Sequence, residues 1–226
     1  MYGVTNEAFT GAYAEFALAS AGRVARKPKL LNFIEAASVP VVAVTAWQML
    51  FDYAQVTAGQ TLLILGAAGN VGGYAVQLAK HAGLHVIATA AARDIEYVRQ
   101  LGAEKVVDYH TSRFEEVVSA VDVVLDTVGG ETRDRSIQVL RPGGILVSVV
   151  SQPLPEQAAK EHDVTAVFFL VDVTTARLNA ISELFDDGTL VSQVGTVLPL
   201  EQVRVAHAML AGAPHQRGKI VLQVAA

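Results

Sequence analysis

Three glycines at three-residue spacing, Gly66, Gly69 and Gly72, sit between a short apolar run and a segment with one apolar stripe in Thr61–Leu78, TLLILGAAGNVGGYAVQL. Leu62 to Leu65 is apolar on both faces, which a strand buries only at the middle of a sheet. From Val71 onward, Val71, Tyr74, Ala75, Leu78, Ala79 and Ala82 recur at the period of an amphipathic helix. Strand, glycine turn and helix in this order open a βαβ unit of the dinucleotide-binding kind. There the glycines allow a tight turn, close approach of backbone N–H groups to a pyrophosphate, and close packing of helix on strand. The negative charge then lies at the positive end of the helix dipole. The candidate phosphate-binding residues are Gly66, Ala68, Gly69, Asn70, Val71 and Gly72. A βα turn that holds no ligand can carry the same glycines, so the rest of the chain has to decide.

Downstream the alternation repeats. Strands are expected at His85–Thr89, Lys105–Val107, Val121–Asp126, Ile145–Val150 and Ala166–Val171, with helices at Val71–Ala82, Ile95–Leu101, Glu131–Leu140 and Thr175–Phe185. That succession predicts an α/β fold with a doubly wound parallel sheet. The last expected elements are a strand at Val194–Leu198, a helix at Leu200–Leu210 and a strand at Ile220–Val224. Ahead of the sheet, Gly11–Ala19 alternates loosely and reads as a strand, with Arg23–Ala25 a second. Asn32 and Glu35 have the spacing of a helix N-cap and its capping partner. Pro40 then divides the apolar run into a short helix and a second one that carries Thr45 and Trp47 to about Tyr53.

Composition narrows the function classes. With 52% hydrophobic and 17% charged residues the chain can bury a sizeable core, and its net charge of -5 gives no footprint for nucleic acid or an acidic membrane. There is no cysteine, which excludes disulfides, thiolate metal ligands and a Cys nucleophile. The N-terminus lacks the pattern of a signal peptide, and the longest apolar stretch, Ala36–Phe51, is short of the ~20 residues that cross a bilayer. The expected location is the cytoplasm. Among the His residues only His81 and His85 have ligand-like spacing, and Gly83 separates them.

The end of the second sheet strand bears on cofactor choice. NAD-binding units place an Asp or Glu there for the ribose 2′-OH. Here Ala90, Ala91 and Ala92 lead to Arg93, with Asp94 beside it as the expected cap of the next helix. Arg93 is either a solvated charge at a helix start or a guanidinium that clasps a 2′-phosphate; the missing carboxylate favours the second, and so NADP(H).

The combination of TAWQMLF, GQTLLILGAAGNVGGYAVQLAK, LGAEKVVDY, DVVLDTVGG, RPGGILVSV and RGKIVLQV resembles the medium-chain dehydrogenase/reductase superfamily, in its NADPH quinone oxidoreductase (zeta-crystallin-like) branch. The resemblance implies a Rossmann domain flanked by pieces of a GroES-like catalytic domain. It divides the chain into a GroES-like remnant at 1–35, an NADP-binding domain at 36–190 and a return to the catalytic domain at 191–226. Most of the N-terminal GroES-like domain of such proteins would precede Met1, so this chain alone is expected to bind NADP(H) and turn over poorly.

By the same resemblance Tyr109 neighbours the adenosine phosphate, Thr127 and Val128 lie beside the nicotinamide ribose, and Phe169 and Val171 belong to a segment whose backbone meets the carboxamide. Thr45 matches a hydroxyl near the nicotinamide and Lys219 a cofactor-contacting position. Each also has a plainer role. Tyr109 would cover the sheet edge, Phe169 and Val171 would belong to a buried strand, Thr45 would bond its own helix, and Lys219 would be solvated ahead of an edge strand. Zinc-using cousins carry Cys where Val41 stands, so no metal is expected. The implied activity is hydride transfer from NADPH to a quinone or α,β-unsaturated carbonyl, by a homodimer. The alternatives are a zinc-free alcohol or enoyl-thioester reductase, and a catalytically silent NADP(H)-binding or sensing module.

Overall fold

The computed structural model describes residues 1–150 and 152–224. In chain order they form β1 (Tyr2–Gly3), β2 (Val24–Ala25), α1 (Phe33–Ala37), α2 (Pro40–Trp47), β3 (Thr61–Leu65), α3 (Asn70–His81), β4 (His85–Ala90), α4 (Ile95–Leu101) and β5 (Lys105–Asp108). There follow β6 (Val121–Asp126), α5 (Gly130–Ser136), β7 (Leu140–Ser148), α6 (Glu156–Glu161), β8 (Thr165–Phe168), α7 (Thr175–Asp186), β9 (Val194–Pro199), α8 (Val203–Leu210) and β10 (Lys219–Gln223). Two compact units result: Thr45–Leu170, and Met1–Val44 together with the chain from Val171 onward.

The unit Thr45–Leu170 holds a six-stranded sheet in the order β5-β4-β3-β6-β7-β8, parallel throughout. β3 is central because its apolar side chains need cover on both faces. It pairs with β4 through Leu62↔Val86 and with β6 through Leu62↔Val123, and Leu62, Leu63, Ile64 and Leu65 are all 0% exposed. α3 lays Tyr74, Ala75, Leu78 and Ala79 against the sheet. A cluster of Leu63, Leu65, Val124, Leu146, Phe114 and Ile137 fills the core. Each such side chain contributes roughly 1.5–3 kcal/mol by leaving water.

From β3 the chain builds outward to β4 and β5, then returns for β6, β7 and β8 on the other side. Strand order therefore reverses between β3 and β6, the kind of place where open α/β sheets bind ligands outside the carboxyl ends of their strands. The fold is the α/β Rossmann architecture expected.

In the other unit β1 pairs antiparallel with β2, and β9 pairs parallel with β10. These small sheets are the GroES-like remnants at the two chain ends. The Tyr2 hydroxyl donates to Leu178 O on α7 at 2.6 Å, Thr175 Oγ1 donates to Val24 O at 2.7 Å, and Lys29 N–H donates to Asp186 Oδ1 at 2.6 Å. The capping box at α1 forms in full: Glu35 N–H donates to Asn32 Oδ1 at 2.9 Å and Asn32 N–H to Glu35 Oε2 at 2.8 Å. Pro40 starts α2, where its missing N–H costs nothing, and the helix runs on in π form over Gln48–Tyr53.

Several expectations need correction. Gly11–Ala19 is not a strand: it has no ladder among the described residues, and Tyr13, Phe16 and Leu18 are exposed. Alternation marks two faces, but a strand also needs a partner for its backbone. Of Arg23–Ala25 only Val24 and Ala25 pair. The helix expected to reach Leu140 ends at Ser136, followed by a 3₁₀ turn at Ile137–Val139. Pro142 disfavours helical Arg141, and Leu140 already pairs with Val121 in β7. β8 stops at Phe168, so Phe169 and Val171 lie past its end. α6 escaped the sequence pattern because it buries Ala159 alone and has no apolar stripe. Among the described residues no helix is long and apolar enough to cross a membrane.

Candidate functional site

The glycine turn lies at the reversal of strand order. Gly66 has φ +79°, a left-handed conformation, and a Cβ there would stand 2.6 Å from Thr127 Oγ1 and 2.9 Å from Val128 Cγ2. Gly66 N–H donates to Thr89 Oγ1 at 3.1 Å and Ala67 N–H to Thr89 O at 3.1 Å, both at the end of β4. On the opposite flank Thr127 Oγ1 donates to Leu65 O at 2.8 Å. Gly69 N–H donates to Gly66 O at 3.0 Å, and Gly69 is the N-cap of α3.

No side chain caps that helix and no acidic residue occupies its first turn. The N–H groups of Asn70, Val71 and Gly72 therefore end the helix without intrahelical acceptors, next to exposed Gly69 and Asn70 and half-buried Ala68. Gly72 has no room for a side chain, since a Cβ would stand 2.7 Å from Ala67 Cα. An uncapped N-terminus with its partial positive charge, reached over a cradle that any Cβ would fill, fits a phosphate group.

The other residues of the sheet unit that the sequence singled out cluster in part. Thr127 and Val128 follow β6 and touch the glycine turn. Asp126, 0% exposed, fixes their loop: its Oδ1 accepts from Val128 N–H at 2.9 Å and Gly129 N–H at 2.8 Å, and its Oδ2 accepts from Ser148 Oγ at 2.6 Å. Arg93 follows β4 and Tyr109 follows β5, whose ends adjoin: Tyr109 N–H donates to Ala90 O at 3.3 Å. The Arg93 side chain is 87% exposed, while that of Asp94, 3.7 Å away, is 13% exposed. Asp94 holds the N-cap position of α4, yet its side chain makes no cap bond, contrary to the expected role.

Phe169 is buried and stacks on Tyr53 with ring centroids 4.2 Å apart. Thr45 is buried within α2. Val171 and Lys219 belong to the other unit. Lys219 is not a solvated residue ahead of the strand but the first residue of β10, and burial pushes its ammonium below the ordinary lysine value.

Three residues of this neighbourhood do not stand out in the sequence: Thr89, Ser148 and Tyr53. The first two are visible there only as polar residues at the ends of apolar parallel strands. For Tyr53 the sequence holds no signal.

The donors for a metal are a poor set. The chain has no cysteine, and among the described residues no three His, Asp or Glu side chains come together to hold an ion. His85 Nδ1 meets Glu104 at 3.2 Å on the surface, in an exposed pair.

The family model of zinc-binding dehydrogenases matches residues 101–222. A probable zinc-binding oxidoreductase, mitochondrial, of Arthroderma benhamiae is 32% identical over 230 residues, covering 95% of this chain and 69% of the relative. The 2-methylene-furan-3-one reductase of Solanum lycopersicum is 36% identical over 147 residues, 64% of this chain and 37% of that protein. The solved structure of the quinone oxidoreductase from Coxiella burnetii superposes with a TM-score of 0.88 at 34% identity, covering 95% of this chain and 68% of that one.

Proposed function

The chain belongs to the zinc-binding dehydrogenase family of the medium-chain dehydrogenase/reductase superfamily, a family of oxidoreductases with a nicotinamide-cofactor domain, and from that premise we propose that it reduces a quinone or an α,β-unsaturated carbonyl with NADPH, without zinc. The observation that carries the reading is the uncapped N-terminus of α3 behind the Gly66 turn, with Arg93 exposed at the neighbouring strand end and no carboxylate on β4. Support for the substrate class comes from the quinone oxidoreductase similar in structure and from the tomato relative, whose named substrate is an enone.

Bound NADPH supplies the hydride from its nicotinamide C4; the chain's own residues bind, orient and exclude water. We assign the pyrophosphate to the turn Gly66–Gly72, where Ala68, Gly69, Asn70 and Val71 offer backbone rather than charge. Arg93, with Tyr109 beside it, takes the adenosine 2′-phosphate, for which a bidentate guanidinium is suited. Thr127 and Val128 border the nicotinamide ribose, and the buried Asp126 holds their loop in place. The backbone at Phe169 and Val171 meets the carboxamide, and the Tyr53 stack limits the freedom of Phe169. By the same resemblance Thr45 would supply a hydroxyl near the nicotinamide, and Lys219 matches a cofactor-contacting position of the family. These assignments rest on the resemblance of the motifs.

Zinc has no place in the reading because the donor set does not suit it. We assign a homodimer formed along β8, one of the two outer strands of the sheet, beyond which Leu170 is 80% exposed. A cytoplasmic location is part of the same reading, and cell fractionation tests it.

Fluorescence titration with NADPH and NADH, followed by steady-state assays on quinones, enones, alcohols and enoyl thioesters, decides among the activities. NADPH-dependent loss of a quinone or enone is the expected result. Binding without turnover of any substrate would leave a binding module, and equal affinity for the two cofactors would end the NADPH assignment.

A further inference from the structure

We propose that the Thr89 hydroxyl is a positioning group for the dinucleotide phosphates, acting through the backbone of Gly66. Ladder pairing of β3 ends at Ile64↔Ala88 on the β4 side and Leu65↔Asp126 on the β6 side, so the N–H of Gly66 has no strand partner. Thr89, 3% exposed, supplies one with its side-chain oxygen at 3.1 Å.

The two peptide planes that meet at Gly66 are each held at both ends. In the first, Gly66 N–H is bound to Thr89 Oγ1 and Leu65 O to Thr127 Oγ1 at 2.8 Å. In the second, Ala67 N–H is bound to Thr89 O at 3.1 Å and Gly66 O to Gly69 N–H at 3.0 Å. These contacts, with Thr127 N–H donating to Leu65 O at 3.3 Å and Thr127 Oγ1 to Gly66 O at 3.5 Å, hold the left-handed conformation of Gly66. Through Gly69, the N-cap, they also fix the direction of the first-turn N–H groups of α3.

Without the Thr89 oxygen, the first plane loses one anchor and a part-buried donor is left unsatisfied, at a cost of the order of a lost hydrogen bond. That plane can then rotate to seek water, and the rotation passes to Gly66 O, to Gly69 and to the helix end. Nothing in the sequence signals this role, since Thr89 is a single threonine in an apolar strand. The proposal rests on the reading of the turn as a nicotinamide-dinucleotide site and adds the group that keeps it in shape.

The test compares Thr89→Val, which keeps the shape and removes the acceptor, with Thr89→Ser, which keeps the hydroxyl. Two probes are used: NADPH, and 2′-AMP, which lacks the pyrophosphate and meets only the Arg93 end. Thr89→Val is expected to bind NADPH about tenfold more weakly, the equivalent of one unsatisfied hydrogen bond. Its affinity for 2′-AMP should stay within about twofold of the wild type, and Thr89→Ser should bind both like the wild type. Unchanged NADPH affinity in Thr89→Val, or an equal loss for both probes, would overturn the proposal. So would a tenfold loss in Thr89→Ser, which decides the matter even if the valine variant fails to fold. A wild type that binds neither NADPH nor NADH would instead remove the cofactor reading itself, and this inference with it.

Discussion

Gly72 lies with its α-carbon against the carbonyl of Gly66, so that a Cβ on Gly72 would overlap that oxygen and stand 2.7 Å from Ala67 Cα. Both obstacles are backbone and neither can swing aside. Gly72→Ala is therefore expected to lose about 1–3 kcal/mol of stability by overpacking, and cofactor affinity with it, because relief must come from moving the turn. Gly73 is the control. A Cβ there meets Tyr97 Oη at 3.2 Å and Leu101 Cδ1 at 3.4 Å, both side-chain tips that can yield. Gly73→Ala should be near neutral, since helix propensity gains up to about 1 kcal/mol. Urea unfolding of the two variants checks the contrast.

A second prediction concerns the unit that holds the chain ends. Tyr2 is 6% exposed and its hydroxyl donates to Leu178 O at 2.6 Å, with Ser182 Oγ at 2.9 Å. Burial pushes the phenol up from 10.0 to about 12, a little offset by the Ser182 hydrogen bond. The folded state then holds this proton more tightly than the unfolded chain. Its contribution is complete below pH 10.0 and is lost as pH rises towards about 12. Tyr2→Phe should cost about 1 kcal/mol at neutral pH and flatten the stability curve across that window, as unfolding measured from about pH 9 to 12 would show.

Local patterns with strong physical causes were legible in the sequence. The capping box at Asn32 and Glu35, the central strand, the helix behind the glycines and the parallel alternation of strands and helices follow from burial period, caps and turns. What was not legible depended on contacts from elsewhere. Gly11–Ala19 carries a strand's alternation without a ladder, and α6 is a helix without an apolar stripe. At the site, the glycine turn could be read, because Gly72 is demanded by the backbone of Gly66 and Ala67 a few residues away and Gly66 takes a left-handed turn. Two groups that support it could not: Thr89 and Ser148 act across strands brought together only by the sheet. Asp94 shows the reverse failure, as it has a cap's position without the cap's hydrogen bond.

The family's name makes the metal a direct question. Purified protein is expected to hold far less than one zinc per chain, and chelation should leave both the melting temperature and NADPH binding unchanged. The argument is chemical: structural and catalytic zinc needs three or four Cys, His or carboxylate donors. This chain has no Cys, and by the resemblance of its motifs Val41 would stand where zinc-using cousins carry one. Elemental analysis at about one zinc per chain would contradict the expectation.

The final prediction separates the two nicotinamide cofactors. At the end of β4 the backbone passes through Ala90 and Ala91, neither able to accept a hydrogen bond from a ribose 2′-OH by its side chain. Arg93 follows with its side chain 87% exposed and, among the described residues, in an ion pair of 3.7 Å to Asp94, a distance at which little energy opposes its release. A 2′-phosphate would be the stronger partner, since a guanidinium can bond two of its oxygens at once. NADPH should then bind at least several-fold more tightly than NADH. Arg93→Ala should weaken NADPH by about tenfold or more, the effect of a hydrogen bond to a charged group, and leave NADH nearly untouched. Because the attraction is between exposed charges, the preference should also shrink as ionic strength rises. Titrations of both cofactors with wild type and variant at low and high salt test all three statements. If Arg93→Ala weakened NADH as much as NADPH, the residue would be supporting the turn rather than recognising the phosphate.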